Sequence, residues 1–401
     1  MGEERFGRYL HAFEEETPVS IRLNPLKTAA RADGQGCLTV VDGEPVPWCE
    51  QGFYLAKRPN FTMDPLLHAG CYYVQEAASM FVCHVLRQYV DRPVSMLDLC
   101  AAPGGKSTAA IATLPAGSTL CANEPIRQRA SILNENMTKW SWPGCTVTNN
   151  YPQAFRKTKS RFDVILCDVP CSGEGMFRKD EATIREWSPQ HVEKCWQLQR
   201  SIIADIWPCL NDGGLLIYST CTFNTKENEE NVRWIVEEYD AEVLPVEVSA
   251  AWHITGSLLE GFCEPVYRFI PGITRSEGLF LCVLRKKGSR NQLKDSKSQT
   301  KEGLSQQKRH CKTADAQPLQ PAGLPQADLS YYEAISYLRG EALHLPEETP
   351  RGMVEVTFLG HVLGQVKNVG TRANNLYPKE WRIRTTHVPD DYTPILTVHS
   401  S

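Results

Sequence analysis

Two short strings carry residue types suited to covalent chemistry: Asp168-Val169-Pro170-Cys171-Ser172-Gly173-Glu174-Gly175 and Tyr218-Ser219-Thr220-Cys221-Thr222. Each follows an apolar run that reads as a buried strand. Phe162-Asp163-Val164-Ile165-Leu166-Cys167 precedes the first, and Gly214-Leu215-Leu216-Ile217 precedes the second. In an open α/β sheet, ligands are handled at the carboxyl ends of the strands. Two thiols delivered to that edge, one beside Asp168, point to attack by a thiolate. A cysteine taken alone is more often an inert buried side chain, but Pro-Cys and Thr-Cys strings at two strand ends outweigh that. From these residues alone, either Cys171 or Cys221 can be the nucleophile.

A second constellation lies upstream, in Leu97-Asp98-Leu99-Cys100-Ala101-Ala102-Pro103-Gly104-Gly105-Lys106-Ser107-Thr108. It reads as a strand, a tight turn and a helix start. The small residues from Cys100 through Ala101, Ala102, Pro103, Gly104 and Gly105 let the backbone approach a ligand, and the helix start offers free N–H groups. The Gly-Lys-Ser ending resembles a phosphate-binding loop, but the leading glycine of that motif falls at Cys100, which argues against nucleotide hydrolysis. Gly-x-Gly-x-x-Gly is absent, which argues against a dinucleotide. The next strand ends at Asn123-Glu124, where a carboxylate is placed to accept both hydroxyls of a ribose. The third ends at Asn149-Asn150, whose amides suit an adenine edge. With Asp168, four consecutive strand ends describe a site for S-adenosyl-L-methionine.

The elements that must position these residues form a regular alternation. Strand candidates fall at 95–100, 118–123, 145–149, 162–167 and 214–220, separated by helix-length stretches at 105–114, 125–139 and 189–210. Such repetition predicts an α/β fold with a parallel, doubly wound, Rossmann-like sheet. Val266–Ile270 and Leu279–Leu284 flank Pro271-Gly272 and read as a closing hairpin. Four regions are expected: an N-terminal α+β segment (1–90), the Rossmann-like domain (91–285), a flexible basic linker (286–327) and a terminal α+β domain (328–401). Residues 286–312 hold seven Lys and two Arg against Asp295 and Glu302, a local net charge of 9 − 2 = +7, as a solvated spacer with few apolar groups would. In the last region a helix over Tyr331–Leu338 precedes strand-like runs at 353–359 and 361–366. The following Asn374–Arg384 interleaves aromatics with cations, which suits RNA through stacking and phosphate contact, although a core also uses aromatics at such spacing.

Composition sets outer bounds. The chain has 401 residues, 42% of them hydrophobic, and a net charge of −4, so a basic surface for nucleic acid must be local. Fifteen cysteines are scattered through apolar runs with no Cys-x-x-Cys pair. That fits reduced thiols of a cytoplasmic protein, with no metal site and no disulfide framework. The acidic, polar opening lacks a signal-peptide core, Phe6 stands where myristoylation wants Ser or Thr, and no apolar run is long enough for a membrane span. A monomer is expected.

These residues resemble the Nop/Sun family of RNA cytosine-5 methyltransferases. The resemblance rests on Asp98-Leu99-Cys100-Ala101-Ala102-Pro103-Gly104-Gly105-Lys106, on Asp168-x-Pro170-Cys171-Ser172-Gly173-Glu174-Gly175-Met176-Phe177-Arg178 and on Ser219-Thr220-Cys221-Thr222, in order. Arg22-Leu23-Asn24-Pro25 is similar to the family's upstream RNA-binding signature. Ala373-Asn374-Asn375-Leu376-Tyr377-Pro378 is similar to the PUA-like module of bacterial enzymes of the 16S ribosomal RNA methyltransferase F type. The resemblance covers roughly 18–285 and 328–385. Val169 stands where alanine is usual, and Asn150 where an acid is frequent.

The resemblance implies methyl transfer from S-adenosyl-L-methionine to carbon 5 of cytosine in ribosomal RNA or the small ribosomal subunit. It assigns attack to Cys221, release to Cys171, contact with the cytosine and cofactor to Asp168, and a supporting positive charge to Lys106. Cofactor contacts fall to Cys100–Lys106, Glu124, Asn150 and Asp168. Two other expectations compete: the same chemistry on transfer RNA, and a non-catalytic RNA-binding ribosome assembly factor, which the presence of Cys221, Asp168 and Lys106 disfavours.

Overall fold

The alternation of apolar runs and helix-length segments produces a central sheet. The computed structural model describes residues 1–29, 37–288, 313–314, 323–385 and 392–399. Most of the expected basic linker therefore lies outside the described residues.

Five parallel strands form the middle of the sheet. In chain order they are the first, Ser95–Asp98, the second, Thr119–Asn123, the third, Cys145–Thr148, the fourth, Phe162–Asp168, and the fifth, Leu210–Thr220. In space the first lies between the second and the fourth, and the fifth lies outside the fourth. The order of strand addition thus reverses at the first strand, and the crevice above it is the switch point where open α/β sheets take ligands. Leu279–Lys286 continues the sheet antiparallel to the fifth strand, and Tyr267–Phe269 pairs with it as the predicted hairpin. The fourth strand is apolar on both faces because both are covered: Val164, Ile165, Leu166 and Cys167 are all buried.

Two smaller four-stranded sheets flank this body. One is ordered Gly43–Val46, Cys49–Leu55, Val19–Leu23, Tyr72–Val74. The other is ordered Gln326–Asp328, Gly352–Phe358, His361–Asn368, Ala373–Asn375. They share a core in which Ile21, Leu23, Leu66 and Tyr72 pack with Ile335, Leu338, Val354 and Val366. Leu396–His399 also pairs with Cys37–Val40, and Tyr72 and Tyr392 both donate to Asp64. The two ends of the chain are packed as one body.

That packing assigns protein contacts to two segments read as RNA contacts. Arg22 is buried, donating to Gln75 at 2.8 Å and Thr108 at 2.6 Å, with its guanidinium over the Trp140 ring. Asn24, also buried, bonds Gly70 O and Trp140 O, each at 2.9 Å. Their side chains fasten the N-terminal sheet to the helices Gly105–Thr113 and Arg127–Trp140. At the other end Tyr377 is buried, Trp381 packs edge-on against it, and Lys139 sits over Trp381. A charged or aromatic residue reads as surface in a sequence, but here the cations and rings seal one unit against another.

Candidate active site

The crevice is lined from one strand end to the next. After the first strand the chain turns through Cys100, Ala101 and Ala102, crosses a cis Ala102–Pro103 bond and enters the helix Gly105–Thr113 through Gly104. Gly104 has φ +117°, a conformation that favours glycine, and a Cβ there would also come within 3.3 Å of the Leu133 side chain. Burial pushes the Cys100 thiol well up, leaving it a small neutral wall.

Asn123 ties three strand ends together. Its amide donates to Leu99 O and Asn150 O, while its carbonyl oxygen accepts from Thr148 and Asn150 N. Asn149 is committed to the carbonyls of Glu124 and Pro125, leaving Asn150 as the available amide. Three buried polar atoms on this edge lack a hydrogen-bond partner: Asp98 Oδ1, Glu124 Oε2 and Asn150 Nδ2. Glu124 Oε1 caps Ile126 N, and Arg129 lies 3.5 Å from Oε2. Unmet buried polar groups cost about 1–3 kcal/mol each, so the edge is incomplete without a ligand. Two acceptors and an amide donor fit an adenosine-bearing molecule, with Glu124 for the ribose hydroxyls and Asn150 for the base. Asp98 was not among the residues expected to form the site. Burial raises its carboxyl to about 7, while Ser107 donates to its other oxygen at 2.6 Å.

The fourth and fifth strands deliver the reactive groups. Cys171 Sγ and Cys221 Sγ lie 3.2 Å apart, both partly exposed. Lys106 reaches from its helix to Asp168, Nζ to Oδ2 at 2.8 Å, and Ser219 donates to Asp168 Oδ1 at 2.7 Å. Burial opposes the charge on Lys106, but the Asp168 carboxylate outweighs it and holds the ammonium above its ordinary value. The two thiols are not equivalent. The hydrogen bond from Cys171 lowers Cys221 against burial, while the Asp168 carboxylate raises it by more than Lys106 lowers it. The same bond, with burial and the Glu227 carboxylate, raises Cys171 far above the thiol range. The arrangement favours a Cys221 thiolate accepting from a Cys171 thiol.

Behind the cysteines lies a buried polar scaffold that sequence reading missed. Glu174 accepts from Phe223 N at 2.7 Å and Asn224 N at 2.9 Å, fixing the turn after Cys221. Gly175 N donates to Cys221 O at 2.7 Å, and a Cβ on Gly175 would sit 2.6 Å from that oxygen. Gln199, Glu227, Asn228 and Asn231 complete the scaffold. Asn228 and Glu227 follow Cys221 closely enough to have been suspected, whereas Gln199 stands mid-helix with no local signal.

Three sequence families match the chain in order. The family described as N-terminal domain of 16S rRNA methyltransferase RsmF matches residues 1–77, 16S rRNA methyltransferase RsmB/F matches 88–285, and the methyltransferase RsmF PUA domain matches 325–383. Residues 88–285 thus fall in the RsmB/F family. A ribosomal RNA small subunit methyltransferase F from Pectobacterium atrosepticum is 36% identical over 293 residues, covering 70% of this chain and 59% of the relative. The protein of that name from Escherichia coli O81 is 35% identical over 292 residues, covering 70% and 60%. The chain thus spans about three fifths of the length of these curated relatives. Among solved structures, a methyltransferase homolog protein from Pyrococcus horikoshii superposes with a TM-score of 0.58 at 26% identity, covering 71% of this chain and 91% of that one. NSun6 from Pyrococcus horikoshii, solved with SFG, shares the fold with a TM-score of 0.58 at 19% identity, covering 72% and 96%. The family's fold holds in the central sheet and its carboxyl edge.

Proposed function

We propose that this protein methylates carbon 5 of a cytosine in 16S ribosomal RNA, using S-adenosyl-L-methionine, with Cys221 as nucleophile and Cys171 assisting release. The observation that carries this reading is the pair of thiols 3.2 Å apart at the switch-point edge, one near Lys106 and the other near Glu227. Family membership supports the RNA substrate and the cofactor.

Carbon 5 of cytosine is a poor nucleophile, so the protein must first activate the ring. The Cys221 thiolate adds to carbon 6, and electron density moves to carbon 5. S-adenosyl-L-methionine, when bound, supplies an electrophilic methyl group. Glu124, Asn150 and the Cys100–Lys106 turn hold that cofactor. Asp168 contacts the pyrimidine amino edge and stabilises its protonated form; each carboxylate oxygen keeps a second lone-pair site beyond its bond to Lys106 or Ser219. A base then takes the carbon-5 proton, the bonding pair left behind forms the carbon-5–carbon-6 double bond, and the carbon-6–sulfur bond breaks to release the Cys221 thiolate, which accepts a hydrogen bond from the Cys171 thiol. The target base must leave any stack to reach these groups.

The test incubates wild type, Cys171→Ala and Cys221→Ala with 16S ribosomal RNA and S-adenosyl-L-methionine, followed by a denaturing gel. Cys221→Ala abolishes methylation, and Cys171→Ala accumulates a covalent protein–RNA band. A band with Cys221→Ala that disappears with Cys171→Ala reverses the roles. No methylation of 16S RNA by wild type, with methylation of transfer RNA instead, moves the substrate.

A further inference from the structure

The two thiols sit on adjacent strand ends in similar burial, so something other than exposure must distinguish them. The loop around Cys171 is gripped on both sides of the cysteine by one buried pair. Gln199 Nε2 donates to Pro170 O at 2.9 Å and to Glu227 Oε2 at 2.7 Å, and Ser172 N donates to the same Glu227 oxygen at 3.1 Å. Asn224 Nδ2 donates to Glu227 Oε1 at 2.8 Å. Gln199 is in turn held by Asn231 Nδ2 at 2.8 Å and by the Tyr218 hydroxyl. Glu227 is fully buried, and among the described residues no lysine or arginine pairs with it. A carboxylate surrounded only by neutral N–H donors keeps its field, and burial makes that field strong.

The charged and titratable groups around the pair divide by side. Cys171 faces Cys221, Glu227 and the Tyr218 phenol. Cys221 faces Cys171, Asp168 and Lys106, and Cys195 on the helix Pro189–Ile206 faces Glu227 and Cys221. On the Cys221 side Lys106 is offset by the Asp168 carboxylate; on the Cys171 side the Glu227 carboxylate, bonded to Ser172 N, has no such cation beside it. We propose that Glu227 is the positioning residue that keeps Cys171 protonated and so decides which of the two cysteines attacks. The inference rests on the catalytic reading above, which names both thiols but gives no reason for their order. It makes the order a property of the buried scaffold, independent of cofactor and RNA.

The test therefore uses the free protein. Iodoacetamide is applied across pH 6–10, and each cysteine is read by peptide mass spectrometry. The thiolate sulfur forms a bond to the methylene carbon, the carbon–iodine bond breaks and iodide leaves, so the rate follows the thiolate fraction. Wild type labels at Cys221 first. In Glu227→Gln the Cys171 rate at pH 8 rises about tenfold, because a neighbouring like charge disfavours the thiolate and its removal restores the thiolate fraction. An unchanged ratio of Cys171 to Cys221 labelling in a folded Glu227→Gln protein overturns the proposal.

Because glutamine turns an amide N–H toward existing donors, that variant can lose its fold. A Cys221→Ser protein tests the same point with Glu227 intact. Its Cys171 labels with a midpoint above the ordinary thiol value of about 8.5, and adding Glu227→Asp, which draws the carboxylate back, lowers that midpoint; a midpoint that Glu227→Asp leaves unchanged overturns the proposal. Neither arm needs methylation, so a wrong RNA substrate leaves both results unaffected.

Discussion

At the ends of the first three strands, buried polar atoms of Asp98, Glu124 and Asn150 make no hydrogen bond, Glu124 having only the Arg129 guanidinium 3.5 Å away. Behind the ends of the fourth and fifth, Gln199, Glu227, Asn228 and Asn231 leave no buried side-chain polar atom unmatched. The first half of the edge is completed by something it binds, whereas the second is complete before anything arrives. A pocket for a dissociating cofactor must offer unmet hydrogen bonds. A pair of reacting thiols must instead be held in fixed geometry, and a closed network does that.

The contrast predicts that damage to the two halves is felt in different measurements. The largest stability effect belongs behind the cysteines. Arg268 and Glu229 form a fully buried ion pair, and Arg268 also donates to Phe223 O in the turn after Cys221. Glu229→Ala strands a buried guanidinium and is expected to cost about 3–5 kcal/mol in urea unfolding. A cost under about 1 kcal/mol contradicts the closed-network account.

On the cofactor half, Glu124→Ala is expected to weaken S-adenosylhomocysteine binding by about 10–100-fold in calorimetry, the loss of hydrogen bonds to a charged group. Its melting temperature stays within a few degrees of wild type. A large loss of stability with little loss of affinity reverses the assignment.

Asp98 gives a pH signature. Its folded value of about 7 lies above the unfolded value of about 3.9. The folded state therefore binds the proton more tightly, and the associated stability is present below pH 4 and lost as pH rises to 7. Asp98→Asn is expected to gain stability relative to wild type between pH 4 and 7, by at most a few kcal/mol, with no further gain above. Melting curves at pH 4, 5.5, 7 and 8.5 check this. The smallest effect is Asn150→Ala, about 0.5–1.5 kcal/mol of cofactor affinity for one neutral hydrogen bond.

The parts most legible in the sequence were those governed by local pattern. The apolar runs at 162–167 and 214–220 gave both cysteine-bearing strand ends, because a strand buried on two faces needs such runs. The small-residue turn after Leu99 was legible because only small residues fit there. What escaped was long-range and polar. Gln199 sits in an ordinary amphipathic helix and joins the scaffold only because the fold sets it beside Pro170 and Glu227. Arg22 and Asn24 stood out only as part of a string similar to an RNA-binding signature, and their burial depends on Trp140 and Gln75, more than fifty residues away. The shared core of the two chain ends left no local trace either, since its halves are joined by packing across some three hundred residues.

The most direct test of the central claim is which sulfur carries the base. RNA containing 5-fluorocytosine at the target cannot lose a proton from carbon 5, so the covalent adduct persists after methylation. The trapped complex is digested and its cross-linked peptide sequenced by mass spectrometry. The account predicts attachment at Cys221, in the peptide that contains Ser219-Thr220-Cys221-Thr222. Attachment at Cys171 contradicts it, together with the division of labour derived from Lys106 and Glu227.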